Sequence, residues 1–319
     1  MDLSEVLNSL RVVQLPMRTK FRGITTREVA IFQGESGWGE FSPFLEYGAE
    51  ESAKWLRSGI EAASGPKFPV LRNSIKINGT IPATDDREEI AALIALYPGA
   101  EVFKVKVGTG IDADLSRLRV VRDLVPKAKL RIDVNGSWSV AEAEGNLKAI
   151  LDEIGPLEYV EQPVASLDSL RELKRRLKGE LLIVGDEVIR KAENPLKVNL
   201  EDAVDILMLK VAPLGGIKKS LDIARHHKLP VVVSSALESA IGISHGLRLA
   251  AALPNLDHAS GLATGSLLKT DLATHEINNG EIRLGDVEPN LDSLERFAAS
   301  KERLEWWRER VKSCWEVAA

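Results

Sequence analysis

Five charged residues stand at the ends of successive β-rich runs in the middle of the chain. The steps between them are 27, 28, 25 and 24 residues, in the order Lys106, Asp133, Glu161, Asp186 and Lys210. A regular step of one strand–helix unit puts each residue at the equivalent point of the next strand. In a parallel barrel that point is the C-terminal mouth, where active sites lie. We therefore expect the five side chains to meet at one rim.

The three acidic members of this set, Asp133, Glu161 and Asp186, indicate a metal site. Three carboxylates placed close together are unstable unless a cation offsets their formal charge. Ligands that offer only oxygen favour a hard ion. The sequence therefore predicts Mg²⁺, with Mn²⁺ as the alternative, and argues against zinc.

The lysines supply the reactive groups. Lys106 and Lys210 would face each other across the metal, and Lys104 lies two residues before Lys106, on the same side of its strand. The charge of Lys104 and a nearby metal would favour the neutral amine of Lys106, which could then act as a base. Taken singly, each of these residues is more commonly a surface lysine or a helix cap. Their joint order along the chain favours a catalytic site.

The elements that must position these residues are eight β-rich runs separated by amphipathic stretches. The helical stretches include 114–125, 140–151 with a capping box from Ser139 and Glu142, and a third marked by leucines between 167 and 177. This alternation predicts an α/β fold with a parallel barrel, and an open doubly wound sheet stays as the alternative. The predicted strands are 74–77, 101–107, 129–134, 157–161, 181–186, 205–210, 230–234 and 258–262.

The flanks have a different pattern. Residues 10–45 are typical of strands and turns, with a hairpin signal from Gly34 to Gly37, and 50–63 is typical of a helix. The tail predicts a short strand at 280–284 and one helix at 291–311. We expect both flanks to build one α+β lobe. The predicted domains are a capping domain, 1–73 with 272–319 returning to it, and a barrel, 74–271.

Composition narrows the function classes. The chain has 319 residues, 44% apolar and 28% charged, with a net charge of −5 and a pI near 5.7, which predicts a large core and argues against nucleic-acid binding. The single cysteine, Cys314, excludes a disulfide framework and fits a reducing cytosol. With neither a signal peptide nor a long apolar run in the pattern, we expect a cytoplasmic protein that contacts no membrane. Its oligomeric state stays open, and a monomer fits.

The charged residues occur in specific motifs: Lys-x-Lys at 104–106, Asp-x-Asn at 133–135, Glu-Gln-Pro at 161–163 and Gly-Asp-Glu at 185–187. With Lys210 and the Gly37–Glu40 hairpin, they resemble the enolase superfamily, in its muconate-lactonizing subgroup, over nearly the whole chain. The resemblance implies a modified TIM barrel, (β/α)7β-like, with an α+β capping domain. It also implies Mg²⁺ held by the three acids and proton chemistry by Lys106 and Lys210 beside a small-molecule carboxylate.

Within that subgroup the chain is similar to a dehydratase family of menaquinone biosynthesis. The similarity rests on Arg131 two residues before Asp133, on 234–242 (Ser-Ser-Ala-Leu-Glu-Ser-Ala-Ile-Gly), on the lid-like 21–25, and on the lack of Asp-x-Asp in 261–265. It implies loss of water from 2-succinyl-6-hydroxy-2,4-cyclohexadiene-1-carboxylate to give 2-succinylbenzoate. Lys106 would remove the proton α to the carboxylate and protonate the departing hydroxyl on the same face, while Lys210 stabilises the enediolate.

The residues expected to support the site each have an ordinary alternative. Asn135 would orient a carboxylate or Lys106, unless it only forms a turn, and Arg131 would pair with a ligand carboxylate or a substrate group. The succinyl carboxylate would bind at the helix start near Ser234 and Ser235, which could instead be caps, or near Gly261.

Arg22 would close over the substrate from the lid, or be a surface charge.

Two other functions stay open. A racemase of N-acylated amino acids, or a dipeptide epimerase, would use Lys106 and Lys210 as two bases. The missing Asp-x-Asp counts against the dipeptide version. A barrel that binds a ligand without catalysis is disfavoured by the intact set of charged residues.

Overall fold

The computed structural model describes residues 1–318. Its strands are β1 (Arg11–Phe21), β2 (Ile24–Gly34), β3 (Gly37–Phe41), β4 (Ser74–Lys76), β5 (Gly79–Ile81), β6 (Val102–Lys106), β7 (Lys129–Asp133), β8 (Leu157–Glu161), β9 (Ile183–Gly185), β10 (Ile206–Lys210), β11 (Val231–Ser234), β12 (Ile277–Asn278) and β13 (Glu281–Arg283). Its helices are α1 (Leu3–Ser9), α2 (Ala49–Ser64), α3 (Arg87–Ala95), α4 (Ile111–Leu124), α5 (Val140–Ile154), α6 (Leu167–Leu177), α7 (Glu187–Arg190), α8 (Val211–Leu214), α9 (Ile217–His227), α10 (Ala240–Ala252), α11 (Leu291–Arg296) and α12 (Lys301–Ala318).

The central sheet is parallel and runs in the order β11-β10-β9-β8-β7-β6-β5. Its strands are short and largely buried; every residue of β10, for example, is buried. Strands that are covered on both faces have nearly continuous apolar sequences, because helices pack on their outer face and side chains fill the barrel interior. The α/β barrel architecture expected from the alternation is thus confirmed.

The predicted ends of the barrel need two corrections. Strand 74–77 is wrong as the first barrel strand: β4 pairs antiparallel with β13, and β5 takes the edge position beside β6. The predicted strand 258–262 is also wrong. In that segment Ser260 bridges Ile77 and Gly261 bridges Ser234, one residue each. Two single bridges to different edges close the sheet without forming a ladder.

Gly261 explains how this closure fits. A Cβ on Gly261 would lie 2.4 Å from the Ser234 Oγ, so a larger residue here would displace the Ser234 hydroxyl. The Gly261 amide donates to the Val233 carbonyl oxygen at 2.8 Å. The closing segment is therefore held against β11 by a backbone hydrogen bond.

Three predicted helices are present close to their predicted bounds. Predicted 114–125 is α4, predicted 140–151 is α5, and the leucines from 167 to 177 form α6. The capping box of α5 is confirmed, since the Ser139 side chain accepts from Glu142 N and the Glu142 side chain accepts from Ser139 N. Among the helices of residues 1–318, none combines the length and apolar character needed to cross a bilayer.

The N-terminal region forms an antiparallel sheet in the order β1-β2-β3. The predicted hairpin is confirmed, because Gly34 pairs with Gly37 across the turn. Helix α2 packs on this sheet at very short range: a Cβ on Gly39 would lie 2.1 Å from the Gly59 carbonyl oxygen. The glycine pair lets the helix sit directly on β3.

The C-terminal segment returns to the N-terminal region, where α12 packs against α2 and β1. The single helix predicted at 291–311 is wrong, because the chain breaks between α11 and α12. At the break, Gln14 N donates to the Phe297 carbonyl oxygen at 2.8 Å and Ala299 N donates to Val12 O at 2.9 Å. Pairing with β1 satisfies the backbone there better than a continuous helix could. The domain boundaries at 73/74 and 271/272 stay a prediction.

Candidate active site

Strand register brings the charged residues together. Lys106 is the register partner of Asp133, and Asp133 is the partner of Glu161 in the next strand. Asp186 follows the end of β9, and Lys210 ends β10. Because parallel neighbours without a shift at their ends finish at one edge, these side chains gather at the C-terminal mouth.

Lys104 and Lys106 occupy one end of the acidic row. The Lys104 Nζ lies 2.7 Å from Glu161 Oε2 and 3.4 Å from Asp133 Oδ2. The Lys106 Nζ lies 2.6 Å from Asp133 Oδ2. Both side chains point to the same side of β6, as their two-residue spacing predicts.

Lys210 occupies the other end of the row. Its Nζ lies 2.5 Å from Asp186 Oδ2 and 3.7 Å from Glu161 Oε1. Lys106 and Lys210 therefore contact different acids, Asp133 and Asp186, with Glu161 between them. This is the arrangement of two amines on either side of a carboxylate trio.

The charges perturb one another strongly. Burial and the neighbouring Asp133 carboxylate raise the pKa of Glu161 to about 7. Burial would also raise the pKa of Asp133, but the Lys106 and Lys104 ammonium groups outweigh it and hold that pKa below its usual range. Burial would lower the pKa of Lys104, but Glu161 and Asp133 outweigh it and raise that pKa. Lys104 is thus held as a cation.

The burial and hydrogen bonding of the carboxylate oxygens indicate whether the three acids suit a metal ion. Glu161 Oε1 and Asp186 Oδ1 are both buried, and among the described residues neither accepts a hydrogen bond, although each has a cation nearby. Lys210 Nζ lies 3.7 Å from Glu161 Oε1, and Arg190 Nε lies 3.2 Å from Asp186 Oδ1. Within residues 1–318, no three Asp, Glu, His or Cys side chains lie close enough together to coordinate a metal ion as they stand. Lysine ammonium groups instead contact the carboxylates. Buried carboxylate oxygens lacking donors are what a hard divalent cation binds. The donor set fits Mg²⁺.

The charged row opens into a cavity of about 240 Å³. The N-terminal region forms its roof, with Phe21 above Lys106 at 5.7 Å from the Nζ to the ring centroid. The barrel contributes the polar floor. The lining residues are Phe21, Arg22, Phe44, Tyr47, Trp55, Thr80, Lys104, Lys106, Asp133, Asn135, Glu187, Arg190, Lys191, Lys210, Pro213, Ser234, Ser235, Ala236, Leu237 and Thr264.

Asn135 contacts the proposed base directly. Its Oδ1 accepts from Lys106 Nζ at 2.9 Å and its Nδ2 donates to Glu187 Oε1 at 3.2 Å. Its own amide donates to Asp133 Oδ1 at 3.1 Å. The backbone of Asn135 is left-handed, with φ 53°, which aims the side chain back toward Lys106. The side chain of Asn135 thus contacts Lys106, while only its backbone amide contacts a carboxylate of the trio; its role in the site stays a prediction.

Arg131 is placed away from the cavity. Its guanidinium lies inside the barrel, where it bonds Glu158 Oε2 at 2.6 Å and Asn78 Oδ1 at 3.0 Å and stacks over Tyr159. The expected contact with a ligand carboxylate or substrate is therefore wrong as a direct contact. Period two puts Arg131 on the same side as Asp133, but one layer deeper.

Ser234 and Ser235 line the cavity, and Gly261 lies just behind them. The Ser235 Oγ donates to the Gly261 carbonyl oxygen at 2.6 Å and bonds the Thr264 hydroxyl at 2.8 Å. Neither serine caps α10, because Ser239 does so. Ser235 and Thr264 thus form a bonded pair of hydroxyls in the cavity wall, while Gly261 stays a proposed contact through its backbone alone.

Sequence reasoning missed Arg190. Its Nε lies 3.2 Å from Asp186 Oδ1 and its Nη2 donates to Glu187 Oε1 at 2.8 Å. Burial would lower its pKa, but Asp186 and Glu187 outweigh it and raise that pKa. The signal was present in the four-residue spacing from Asp186, which precedes α7, to Arg190, which ends it.

Family models and curated relatives match this chain over most of its length. Residues 12–63 match the family model described as enolase N-terminal domain-like, and 86–289 match enolase C-terminal domain-like. The o-succinylbenzoate synthase of Mycobacterium ulcerans (strain Agy99) is 49% identical over 99% of this chain and 96% of its own. That of Mycobacterium tuberculosis (strain ATCC 25618 / H37Rv) is 47% identical over the same shares. The chain belongs to the o-succinylbenzoate synthase family.

The family is a branch of the enolase superfamily, its members are lyases of the dehydratase type, and enzymes of the superfamily generally use Mg²⁺. The expected superfamily and dehydratase class are thus confirmed.

Solved structures agree on the fold. The muconate lactonizing enzyme from Pseudomonas fluorescens gives a TM-score of 0.76 at 18% identity, over 91% of this chain and 98% of its own. The N-succinyl Arg/Lys racemase from Bacillus cereus gives 0.75 at 20% identity, over 91% and 97%. At these identities the likeness establishes the barrel-with-cap architecture.

Proposed function

We propose that the chain catalyses the Mg²⁺-dependent syn dehydration of 2-succinyl-6-hydroxy-2,4-cyclohexadiene-1-carboxylate to 2-succinylbenzoate, a step of menaquinone biosynthesis. The observation that carries the proposal is the row in which Lys106 and Lys210 contact Asp133 and Asp186 on either side of Glu161. The family relatives, similar over nearly their whole length, support the choice of substrate. The partner is accordingly a small carboxylate.

Asp133, Glu161 and Asp186 would hold the ion, which would supply positive charge to the substrate carboxylate as negative charge develops there. The residues themselves perform the proton transfers. Lys106 takes the proton α to the carboxylate, leaving an enediolate. It then returns that proton to the departing hydroxyl on the same face, and the ring becomes aromatic. One amine serves as base and then as acid.

Lys210 and Lys104 act through charge. The Lys210 ammonium, fixed by Asp186, stands across the row from Lys106 and stabilises the enediolate without giving up a proton. Burial would lower the pKa of Lys210, but Asp186 and Glu161 outweigh it and raise that pKa, which keeps this group cationic. Lys104 holds Glu161 and Asp133 in position from below.

The substrate's second carboxylate needs separate recognition. Ser235 and Thr264 offer hydroxyls on the floor, and Arg22 offers a guanidinium from the roof. We assign the succinyl end to this region, with Ser234 and Gly261 shaping its wall.

Direct assay tests the function. The protein is incubated with the cyclohexadiene substrate and Mg²⁺, and the loss of diene absorbance is followed while 2-succinylbenzoate is identified by mass. We expect turnover with Mg²⁺ and none after chelation with EDTA, restored by adding Mg²⁺ back. Absence of product at saturating substrate and metal would refute the assignment.

A second activity is favoured by one observation, the placement of two amines on opposite sides of the acid row. Two such bases could racemise an N-acylated amino acid. Incubation of an N-acylamino acid in deuterated water distinguishes the two: incorporation of deuterium at the α-carbon supports racemisation, and its absence limits the site to dehydration.

A further inference from the structure

The aromatic roof of the cavity is assembled from one short segment and one helix. Phe44, Tyr47 and Trp55 pack edge-to-face or tilted, with ring centroids 5.7 to 6.5 Å apart. All three line the cavity. Such a cluster fixes the shape of the roof only if the backbone that carries Phe44 and Tyr47 is itself fixed.

Arg22 of the lid loop is held by this cluster. Its guanidinium carbon lies 4.0 Å from the Phe44 ring centroid, and its Nη1 donates to the Tyr47 hydroxyl at 3.2 Å. Its contact with Glu46 is a longer ion pair, 3.5 Å, between exposed groups. Surface ion pairs contribute little, so the aromatic contacts decide where Arg22 lies.

Arg310, far along the chain in α12, fixes the backbone under the cluster. Its Nη2 lies 2.8 Å from the Phe44 carbonyl oxygen, 2.9 Å from the Tyr47 carbonyl oxygen and 3.0 Å from Ser52 Oγ. The guanidinium stacks over Trp306 and Trp307, 5.2 Å from each ring centroid. A charged donor shared by two carbonyl oxygens holds the turn between them closed.

We propose that Arg310 is a positioning residue for the substrate roof: by clamping the carbonyls of Phe44 and Tyr47 it sets where Arg22 meets the substrate. The inference rests on the proposed function for its kinetic consequence, but not for its structural one. Arg310 does not itself line the cavity. Its effect is on substrate binding rather than on proton transfer at Lys106.

Arg303 supplies a matched control on the same helix. It too stacks on Trp306, at 3.9 Å, and its Nε donates to Glu28 Oε2 at 2.7 Å, but within residues 1–318 it makes no hydrogen bond to the 44–47 turn. Arg303→Met removes an ion pair with Glu28 and a stacking contact with Trp306 from the same helix. It therefore measures the cost of disturbing the helix alone.

The first experiment needs no substrate. Amide hydrogen exchange is followed by mass spectrometry at 44–47 and at the lid, 21–25, in the wild type, Arg310→Met and Arg303→Met. We expect exchange in both segments to accelerate by about tenfold in Arg310→Met and to stay near wild type in Arg303→Met. Unchanged exchange in Arg310→Met, or equal acceleration in both variants, overturns the proposal.

The second experiment uses the dehydration assay. Arg310→Met should raise KM about fivefold and leave kcat within about twofold of the wild type. The variant loses binding energy that is the same in the ground state and the transition state, while the proton transfers at Lys106 are unaffected. In the Arg22→Met background, adding Arg310→Met should change KM by less than about twofold, because both act through one contact. Additive effects, or a loss confined to kcat, contradict the proposal. If the wild type fails to turn over, the function fails, and hydrogen exchange still decides the role of Arg310.

Discussion

Asn135 accepts a hydrogen bond from the Lys106 ammonium at 2.9 Å while donating to Glu187 at 3.2 Å. The side-chain amide of Asn135 thus connects the proposed base to Glu187, which also accepts a hydrogen bond from Arg190 at 2.8 Å. This connection restricts where the Lys106 amine can go when it leaves the Asp133 carboxylate. Holding a base at its point of attack is a large part of proton-transfer catalysis.

Asn135→Ala should lower kcat about tenfold with little change in KM, since the base is still present but less well placed. Steady-state kinetics of the dehydration measure both constants. Asn194→Ala removes an asparagine cap on a surface turn and serves as the control. An unchanged kcat in Asn135→Ala would show that Asp133 alone positions Lys106.

Lys106→Ala should abolish dehydration, by at least about 10³-fold, because the other amine on that face, Lys104, is held as a cation by Glu161 and Asp133 and cannot replace the base. Binding of Mg²⁺, measured by calorimetry, should be retained or slightly tighter, since a cation next to Asp133 is removed. Normal turnover in this variant would refute the assignment of the base.

Asp186→Asn should weaken Mg²⁺ binding by at least about tenfold, since a charged oxygen ligand becomes a neutral one. Titration calorimetry with Mg²⁺, or with Mn²⁺ by electron paramagnetic resonance, measures the change. The control is Asp205→Asn, whose carboxylate instead bonds Ile183 N and Lys174. Equal affinities in wild type and Asp186→Asn would mean that the trio is misassigned.

Stability should fall as pH rises because of Glu238. Burial and the nearby Glu40 carboxylate raise the pKa of Glu238 to about 7. Between about pH 4.5 and 7 the unfolded chain releases this proton while the folded protein keeps it, so the free energy of unfolding decreases across that range. Asp271, whose pKa burial also raises to about 7, adds to the same trend.

Glu238→Gln should reduce that fall and stabilise the protein at pH 8 by on the order of 2 kcal/mol relative to its effect at pH 5. Urea unfolding at the two pH values measures it, with Glu35→Gln in the exposed hairpin turn as the control. A pH dependence identical in wild type and Glu238→Gln would assign the trend to other groups.

The sequence by itself determined which charged residues meet at the rim of the barrel. Lys106, Asp133 and Glu161 recur at one strand–helix step, and parallel strands in register must end together, so repetition alone placed them. The capping box at Ser139 and the hairpin at Gly34 were equally local, because each is decided by residues three apart.

What tertiary structure decided depends on partners far away in the chain. Arg131 shares a side with Asp133, yet its depth in the barrel follows from Glu158 and Asn78. The break before α12 exists because β1 supplies backbone partners there, and the clamp by Arg310 forms only once α12 has docked beside α2. Local spacing fixes which side a residue faces, whereas the contact it makes depends on packing between distant segments.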